Sequence, residues 1–143
     1  MSGEIPQQVF GLLAALGLGA LIGLERQYRK HPAGLHTNAL VALGSAAFVL
    51  AGTLVDGGSG TARVAGQVIT GVGFLCAGVI FHQGATVRGL NTAATAWCSA
   101  AVGVMAGLGH IAWAAVVAAL VLGANIFLHL CEHRFLNSEK SGK

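Results

Sequence analysis

Glu25 is the residue whose type and position most favour chemistry. It lies at the end of a long apolar run, in the segment Gly23-Leu24-Glu25-Arg26-Gln27. A carboxylate beside an apolar phase is costly and is retained where it forms an ion pair or binds something. Arg26 points about 100° away from it on a helix, which makes Arg88 the predicted salt partner. Glu25 is therefore predicted either to fix this surface through a Glu-Arg network or to bind an ion or a partner.

Four polar residues accompany Glu25 at the ends of the neighbouring apolar runs. Thr37, Asn38, Asn91 and Thr92 all stand near predicted helix starts, where such side chains cap free backbone N–H groups without any ligand. The alternative is an oxygen-lined site shared with Glu25, which would suit Mg²⁺, although no cofactor is predicted. The candidate functional cluster comprises Glu25, Arg26, Thr37, Asn38, Arg88, Asn91 and Thr92.

Two further groups of polar residues are secondary candidates. Gln67, Thr70 and Asn125 lie inside apolar runs and are more typical of hydrogen bonds between membrane helices than of a transport pathway. His129 and His133 stand at the i and i+4 spacing that can place two imidazoles over one metal ion. Two ligands do not make a metal site, and this pair is more typical of a helix that ends at an interface. With Glu25, the two histidines are the weak metal candidates, and no catalytic residue is predicted.

The composition requires a lipid environment for the elements that carry these residues. The chain has 143 residues, of which 55% are hydrophobic and only 9% charged, and a net charge of +3. Soluble domains carry about 25% charged residues. Most basic residues flank apolar runs instead of clustering on a solvated face, which excludes a nucleic-acid partner. The predicted partner is the lipid bilayer.

Charge-free stretches predict an all-α membrane helix bundle of about five transmembrane helices, since about 20 residues cross a bilayer core. The 43 uncharged residues from 89 to 131 would reach about 65 Å as one helix. They are therefore divided at Gly107-Leu108-Gly109-His110, although four spans remain an alternative. The predicted helices cover residues 5–28, 37–55, 64–82, 91–106 and 111–131, within a single transmembrane domain at 1–135 followed by a short cytoplasmic tail at 136–143.

The basic residues predict the orientation of these spans, because Lys and Arg are retained on the cytoplasmic side. With the N-terminus outside and the C-terminus cytoplasmic, Arg63 alone falls outside. The other seven fall inside: Arg26, Arg29, Lys30, Arg88, Arg134, Lys140 and Lys143.

Small residues recur at four-residue spacing and predict close helix packing, which in lipid depends on near approach of backbones. These ridges are expected to pack the monomer, and one of them is also a candidate seam for a homodimer or other homo-oligomer. They are Ala15, Gly19 and Gly23; Thr95, Ser99, Gly103 and Gly107; and Ala115, Ala119 and Gly123.

Four ordered sequence elements resemble those of the MgtC/SapB family of bacterial inner-membrane proteins. Residues 23–27 resemble G-x-E-R-Q, residues 34–40 resemble G-L-R-T-x-x-L, residues 71–78 resemble G-x-G-F-L-x-A-G, and residues 89–97 resemble G-L-x-T-A-A-x-x-W. The resemblance implies a multi-pass protein of the bacterial cell inner membrane that is linked to adaptation to low magnesium. Better-known members also carry a soluble C-terminal domain, and this chain is expected to correspond to their membrane domain alone.

Two functions are compatible with this resemblance. The first is a non-enzymatic regulator that acts on other membrane proteins, ATP synthase being one proposed for the family, and that could belong to a larger membrane complex. The alternative is an oligomeric transporter or channel for magnesium or another small solute, which requires polar groups along its path. A continuous polar path from Asp56 past Gln67 and Thr70 to Glu25 would favour transport, whereas a dry seam of small residues would favour regulation.

Overall fold

The computed structural model describes residues 4–57, 59–83 and 86–140, without the side chains of residues 4, 56, 81–83 and 132–140. This part of the chain confirms the predicted all-α bundle. The last helix continues into residues 136–140, which were predicted to belong to a tail. The five helices are α1 (Glu4–Tyr28), α2 (Leu35–Asp56), α3 (Thr61–Val79), α4 (Leu90–Gly107) and α5 (Ile111–Lys140).

Four helices contain a segment long and apolar enough to cross a membrane: Ile5–Tyr28, Leu35–Val55, Thr61–Val79 and Ile111–Cys131. The exception is α4, whose 18 residues extend about 27 Å and include several hydroxyl side chains. It is the central helix, in contact with α1, α2, α3 and α5. Its small and polar residues are tolerated because the neighbouring helices cover them instead of lipid.

Glycines let the three central helices approach one another. A Cβ on Gly19 of α1 would lie 2.6 Å from both Asn38 O and Ala42 Cβ of α2, and a Cβ on Gly103 of α4 would overlap Ala42 O. The ridges predicted on α1 and α4 therefore pack the monomer. The ridge predicted on α5 differs, since Ala115, Ala119 and Gly123 are all exposed.

The contacts between helices also fix their relative directions. Gly103 and Gly107 of α4 meet Ala42 and Ala46 of α2 in the same order, so these two helices run parallel. In contrast, Gly11 of α1 faces Ala106 near the end of α4, whereas Arg26 near the end of α1 contacts Thr92 near the start of α4. Helix α4 therefore traverses the bundle antiparallel to α1, as expected for five spans. We call the end that holds the α1–α2 turn and the start of α4 the polar end.

A short β-hairpin joins α3 to α4 and corrects one predicted boundary. Strands β1 (Phe81–Gln83) and β2 (Thr86–Arg88) pair antiparallel, with Phe81 opposite Arg88. The predicted third helix was wrong at its end, because α3 stops at Val79 and Ile80 is extended with ψ 121°. Val79 and Ile80 are β-branched, a type that favours extended backbone. The hairpin brings Gly89, with φ 93°, against the carbonyl of Val79, where a side chain would not fit.

Candidate functional site

A cluster of buried polar side chains lies between α1, α2 and α4 toward the polar end. Thr92, Thr95 and Ser99 stand at i, i+3 and i+7 on α4 and therefore share one face of that helix, and each is at most 3% exposed. Opposite them lie Arg26 of α1, which is 2% exposed, and Asn38 of α2, which is fully buried. We call these five residues the polar cluster.

Asn38 connects the start of α2 to α4. Its Nδ2 donates to the carbonyl oxygens of Ala33 and Gly34, each at 3.0 Å. Its Oδ1 accepts a hydrogen bond from Ser99 Oγ at 2.9 Å, and the same hydroxyl lies 3.1 Å from Thr95 O. Buried amides are costly unless they are hydrogen-bonded. Asn38 is therefore a fully engaged structural connector between two helices and not an open ligand site.

The prediction that Thr37, Asn38, Asn91 and Thr92 cap helix starts was wrong. The N-cap residues are Gly34 for α2 and Gly89 for α4, and neither helix start has a side-chain cap of its own. At the start of α2, the Leu35 N–H instead donates to Gln27 Oε1 of α1 at 3.2 Å. The helices begin earlier than predicted, so the candidate capping residues fall inside the first turn or beyond it, where they cannot serve as N-caps.

Arg26 is a buried cation whose hydrogen bonding is incomplete. One terminal nitrogen, Nη2, donates to Thr92 Oγ1 at 3.1 Å, but Nε is buried and has no acceptor in the described part of the chain. Thr92 is neutral and cannot balance the charge of the guanidinium. The arrangement ties α1 to α4 and leaves part of a charged group without a partner, which is costly in an apolar interior.

Glu25 forms an ion pair with Nε of Arg29, one turn further along α1. The predicted Glu25–Arg88 pair was wrong, because Arg88 is exposed on β2 and forms no ion pair with another described residue. Both carboxylate oxygens of Glu25 are buried and accept no hydrogen bond from the described groups. Glu25 and Arg29 are four residues apart, a spacing at which two side chains on the same helix can meet.

His31 follows α1 and lies among several charged groups. Burial lowers the pKa of His31, and the positive charge of Arg26 lowers it further, whereas Glu25 opposes this effect. His129 of α5 and Arg29 also lower its pKa, and α5 packs against α1. The polar end therefore gathers positive or protonatable groups from two helices and the turn between α1 and α2.

Other predicted residues do not join the polar cluster. Thr37 and Asn91 are exposed, as is Gln67 on α3. The hydroxyl of Thr70 donates to Gly66 O of its own helix at 3.2 Å, so the interhelical bond predicted for it was wrong. Asn125 Nδ2 is buried without an acceptor among the described residues.

Of the two metal-ligand candidates on α5, only His129 has a side chain in the described part of the structure. His129 contributes to the lowered pKa of His31, and no position is described for the side chain of His133. In the residues that are described, no group of three His, Cys, Asp or Glu side chains could hold a metal ion.

Comparison with known proteins identifies the family of this chain. The model of the MgtC family matches residues 12–134, which include all of the polar cluster. The chain belongs to the MgtC family. With its four apolar spanning segments, this family membership makes it a multi-pass protein of the bacterial inner membrane.

Curated MgtC relatives extend beyond the matched region. The chain is 56% identical over 117 residues to "Protein MgtC" of Brucella abortus (strain 2308), covering 82% of this chain and 49% of the relative. It is 51% identical over 126 residues to "Protein MgtC" of Salmonella typhimurium (strain LT2), covering 88% of this chain and 54% of the relative. The chain thus spans about half the length of these relatives. No solved structure matches it significantly.

Three further residues of this MgtC chain complete the site. The sequence did not predict their contacts. Arg29 as the partner of Glu25 could have been found from its i, i+4 spacing. Ser99 was predicted only as a packing residue, and Gln27 was not predicted to bond α2. Ser99 lies 61 positions from Asn38, and a single sequence carries no signal for such a pair.

Two open cavities lie outside the polar cluster. A groove of about 560 Å³ runs between α2 and α3, with Gly44, Gly71 and Gln67 among its mostly apolar lining residues. A more polar cavity of about 690 Å³ lies at the opposite end of the bundle, where Gln7, Gln8, Thr53 and Thr61 line it. Neither cavity is lined by a residue of the polar cluster.

Proposed function

We propose that this chain is a non-enzymatic regulator that acts on other membrane proteins through its lipid-facing helix surfaces during adaptation to low magnesium. The observation that carries the proposal is the close packing of small residues at the centre of the bundle. The magnesium context comes from the family resemblance. The orientation that goes with it places the polar end in the cytoplasm and the N-terminus outside.

Helices α1, α2 and α4 touch through small residues at the centre of the bundle. Gly103 and Gly107 of α4 lie against the backbone of α2, and a Cβ on Gly107 would be 2.6 Å from Ala46 O. Ala15 and Ala106 are fully buried in the same apolar cluster. Gln67 and Thr70, which a path to Glu25 would use, are exposed on α3 instead. A monomer built in this way supports a partner-binding role better than conduction.

The surface proposed to act on partners is the groove between α2 and α3. A Cβ on Gly44 or Gly71 would meet nothing within 4 Å, so these glycines leave room that the monomer does not use. Gln67 is exposed beside them and has no hydrogen bond within the described part of the chain. An amide facing hydrocarbon favours a hydrogen-bonding partner, and small residues favour close approach of another helix. A second copy or a larger membrane protein could supply that helix, which keeps a homodimer or other homo-oligomer within the proposal.

Transport by an oligomer is the second candidate, and the exposed position of Gln67 and Thr70 favours it. Copies arranged with α3 toward a symmetry axis would place these side chains along the axis, where they could line a pore. Magnesium flux through purified protein in liposomes separates the two functions, with a trapped dye as the reporter. We expect no flux from folded wild-type protein. Flux that Glu25→Gln abolishes would establish transport and overturn the regulator proposal.

A growth assay tests the regulator directly, in a bacterium that lacks its own MgtC protein and grows poorly at low magnesium. Gly71→Leu fills the open groove and should remove the ability of the chain to restore growth, because a partner helix could no longer approach α3. Gly17→Leu is the matched control, since a Cβ at this exposed α1 position also meets nothing within 4 Å. Equal growth of both variants at equal protein abundance would refute the groove as the acting surface.

A further inference from the structure

A cavity of about 690 Å³ lies at the end of the bundle opposite the polar end, and the functions proposed above do not use it. It forms where α1 and α3 begin and where α2 and α4 end. The apolar spanning segments also begin or end at this level, at Ile5, Val55 and Thr61. The cavity therefore lies near the boundary between hydrocarbon and headgroups, which both dissolved molecules and lipid headgroups reach.

Close contacts between helices form the floor of this cavity. Gly11 of α1 and Ala106 and Gly107 of α4 are among its lining residues. A Cβ on Gly11 would lie 2.7 Å from Ala106 O, and a Cβ on Gly107 would lie 2.6 Å from Ala46 O. The helices touch at these points, so the cavity ends there instead of continuing between them. A cavity of this size can hold a small molecule.

Two glutamines bring side-chain amides to the cavity from α1. Gln8 is partly buried and Gln7 is exposed, and neither side chain forms a hydrogen bond within the described part of the chain. A Cβ on Gly109 would lie 3.9 Å from Gln7 Nε2, so this amide lies beside the α4–α5 turn. Each amide has an oxygen that accepts hydrogen bonds and an NH₂ group that donates two. Both kinds of group are available to a ligand.

Two threonine hydroxyls add an acceptor from α2 and α3. Thr53 Oγ1 donates to Val49 O at 3.1 Å and lies 3.3 Å from Thr61 Oγ1. A hydroxyl has only one hydrogen to donate, so Thr61 is the donor in the pair with Thr53. Thr61 Oγ1 itself accepts no hydrogen bond from the residues that the structure describes. Its lone pairs are therefore open to a donor in the cavity.

The described lining residues carry no charge, and they combine hydrogen-bonding groups with apolar surface from Leu50, Leu54 and Leu108. A carboxylate or phosphate could only accept hydrogen bonds here and an ammonium group could only donate them, whereas a hydroxyl group does both. A sugar also has apolar C–H faces that fit against leucine side chains. The cavity is therefore matched to a neutral molecule that carries several hydroxyl groups.

We propose that this cavity binds a neutral polyhydroxyl group, such as a hexose, through Gln7, Gln8 and Thr61. The two amides donate to and accept from neighbouring hydroxyls, and Thr61 Oγ1 accepts from another. The group comes either from a dissolved sugar or from the headgroup of a glycolipid, since the two share this chemistry. The site is separate from the groove between α2 and α3, so its failure would leave the regulator proposal standing.

Saturation-transfer NMR on the full chain in phosphatidylcholine nanodiscs tests for a dissolved sugar, with methyl β-glucoside as the probe. Nanodiscs avoid detergents with sugar headgroups, which would compete for the cavity. We expect saturable binding of the glucoside to the wild type. The fully O-methylated glucoside keeps its acceptors but has no hydroxyl to donate, and it should bind about fivefold more weakly.

Substitutions in the cavity test the residues that the proposal names. Gln8→Leu removes an amide that forms no hydrogen bond within the described part of the chain, so it should weaken glucoside binding about fivefold without lowering the thermal midpoint. Thr61→Val keeps the shape of the side chain but removes the acceptor, and it should weaken binding by a similar factor. Gln67→Leu is the matched control, because this exposed glutamine lines the groove between α2 and α3, and binding should be unchanged.

A second measurement distinguishes the two sources of the sugar. Native mass spectrometry of the full chain counts the lipids retained from nanodiscs that contain equal amounts of monoglucosyl diacylglycerol and diacylglycerol. Saturable binding of methyl β-glucoside would support a dissolved sugar as the ligand. Retention of the glucolipid alone, weakened by Gln8→Leu, would support a lipid headgroup.

Three outcomes would overturn the proposal. Binding of neither the glucoside nor the glucolipid to folded wild type would show that the cavity takes no sugar. Equal binding of the glucoside and its O-methylated analogue would show that hydroxyl donors are not recognised. Equal affinities of Gln8→Leu, Thr61→Val and Gln67→Leu would show that the ligand lies elsewhere on the protein.

Discussion

At the residue scale, Lys30 stands out because its backbone is in the left-handed conformation. With φ 59°, it occupies the position after α1 where two consecutive N–H groups bond back to Gln27 O and Arg26 O. This pattern closes the helix whichever residue is present, but side chains other than that of glycine crowd the backbone there.

Two substitutions at Lys30 should therefore differ in their effect on stability. Lys30→Val places a β-branched side chain in the left-handed region and should lower the free energy of unfolding by about 1–2 kcal/mol. Lys30→Gly relieves the crowding, and we expect unchanged or slightly higher stability. Thermal midpoints measured in the same detergent check this pair. Both changes remove the charge, so equal midpoints would show that the angle carries no strain.

Residue-scale contacts were only partly predictable from the sequence. The polar residues were expected to gather at one end, and Arg26, Asn38 and Thr92 do meet α4 or form part of it there. Arg88 was predicted as the partner of Glu25 because Arg26 points away from Glu25 on the helix, whereas the actual partner, Arg29, lies at i+4. The bond between Asn38 and Ser99 depends on how α2 and α4 dock, and no local preference encodes it.

At the scale of helices, glycines separate into those that pack the monomer and those that do not. Gly19 and Gly17 lie two positions apart on α1. A Cβ on Gly19 would be 2.6 Å from Asn38 O, whereas one on Gly17 would meet nothing within 4 Å. The same substitution on one helix should therefore have opposite effects.

Gly19→Ala should destabilise the bundle by about 1–3 kcal/mol, because α1 and α2 must separate to admit the methyl group. Gly17→Ala should be neutral or stabilise by up to about 1 kcal/mol, because alanine favours helix over glycine. Unfolding in mixed micelles with increasing denaturing detergent measures both. Similar losses in the two variants would contradict the docking of α1 on α2.

Helices were predictable as elements because charge-free runs of the required length mark them directly. The β-hairpin was not, since two strands of three residues are too short to give a periodic pattern. The ridge of small residues on α4 was interpreted correctly as internal packing. The similar ridge on α5 is exposed, and spacing alone could not distinguish the two because both have the same pattern.

At the scale of the whole molecule, the orientation in the membrane remains a prediction that α4 makes testable. If α4 crosses, Lys30 at the α1–α2 turn and His110 at the α4–α5 turn lie on opposite sides. Both residues are exposed. The distribution of basic residues predicts that Lys30 lies in the cytoplasm.

Labelling with a membrane-impermeant maleimide checks this in a variant whose three native cysteines are replaced. Lys30→Cys should react only after the cells are permeabilised, whereas His110→Cys should react in intact spheroplasts. Reaction of both positions from the same side would contradict a crossing by α4. Reaction of Lys30→Cys alone in intact spheroplasts would invert the proposed orientation.

The central position of α4 also constrains how the protein is made. Its hydroxyl residues and its length of 18 residues make it the helix that a translocon inserts least efficiently by itself. Helices α1, α2 and α3 pack against both its apolar and its polar side chains. These three helices precede α4 in the chain and are synthesised first. We therefore expect α4 to enter the bilayer against helices that are already in place, so that the insertion of one span depends on the folding of the others.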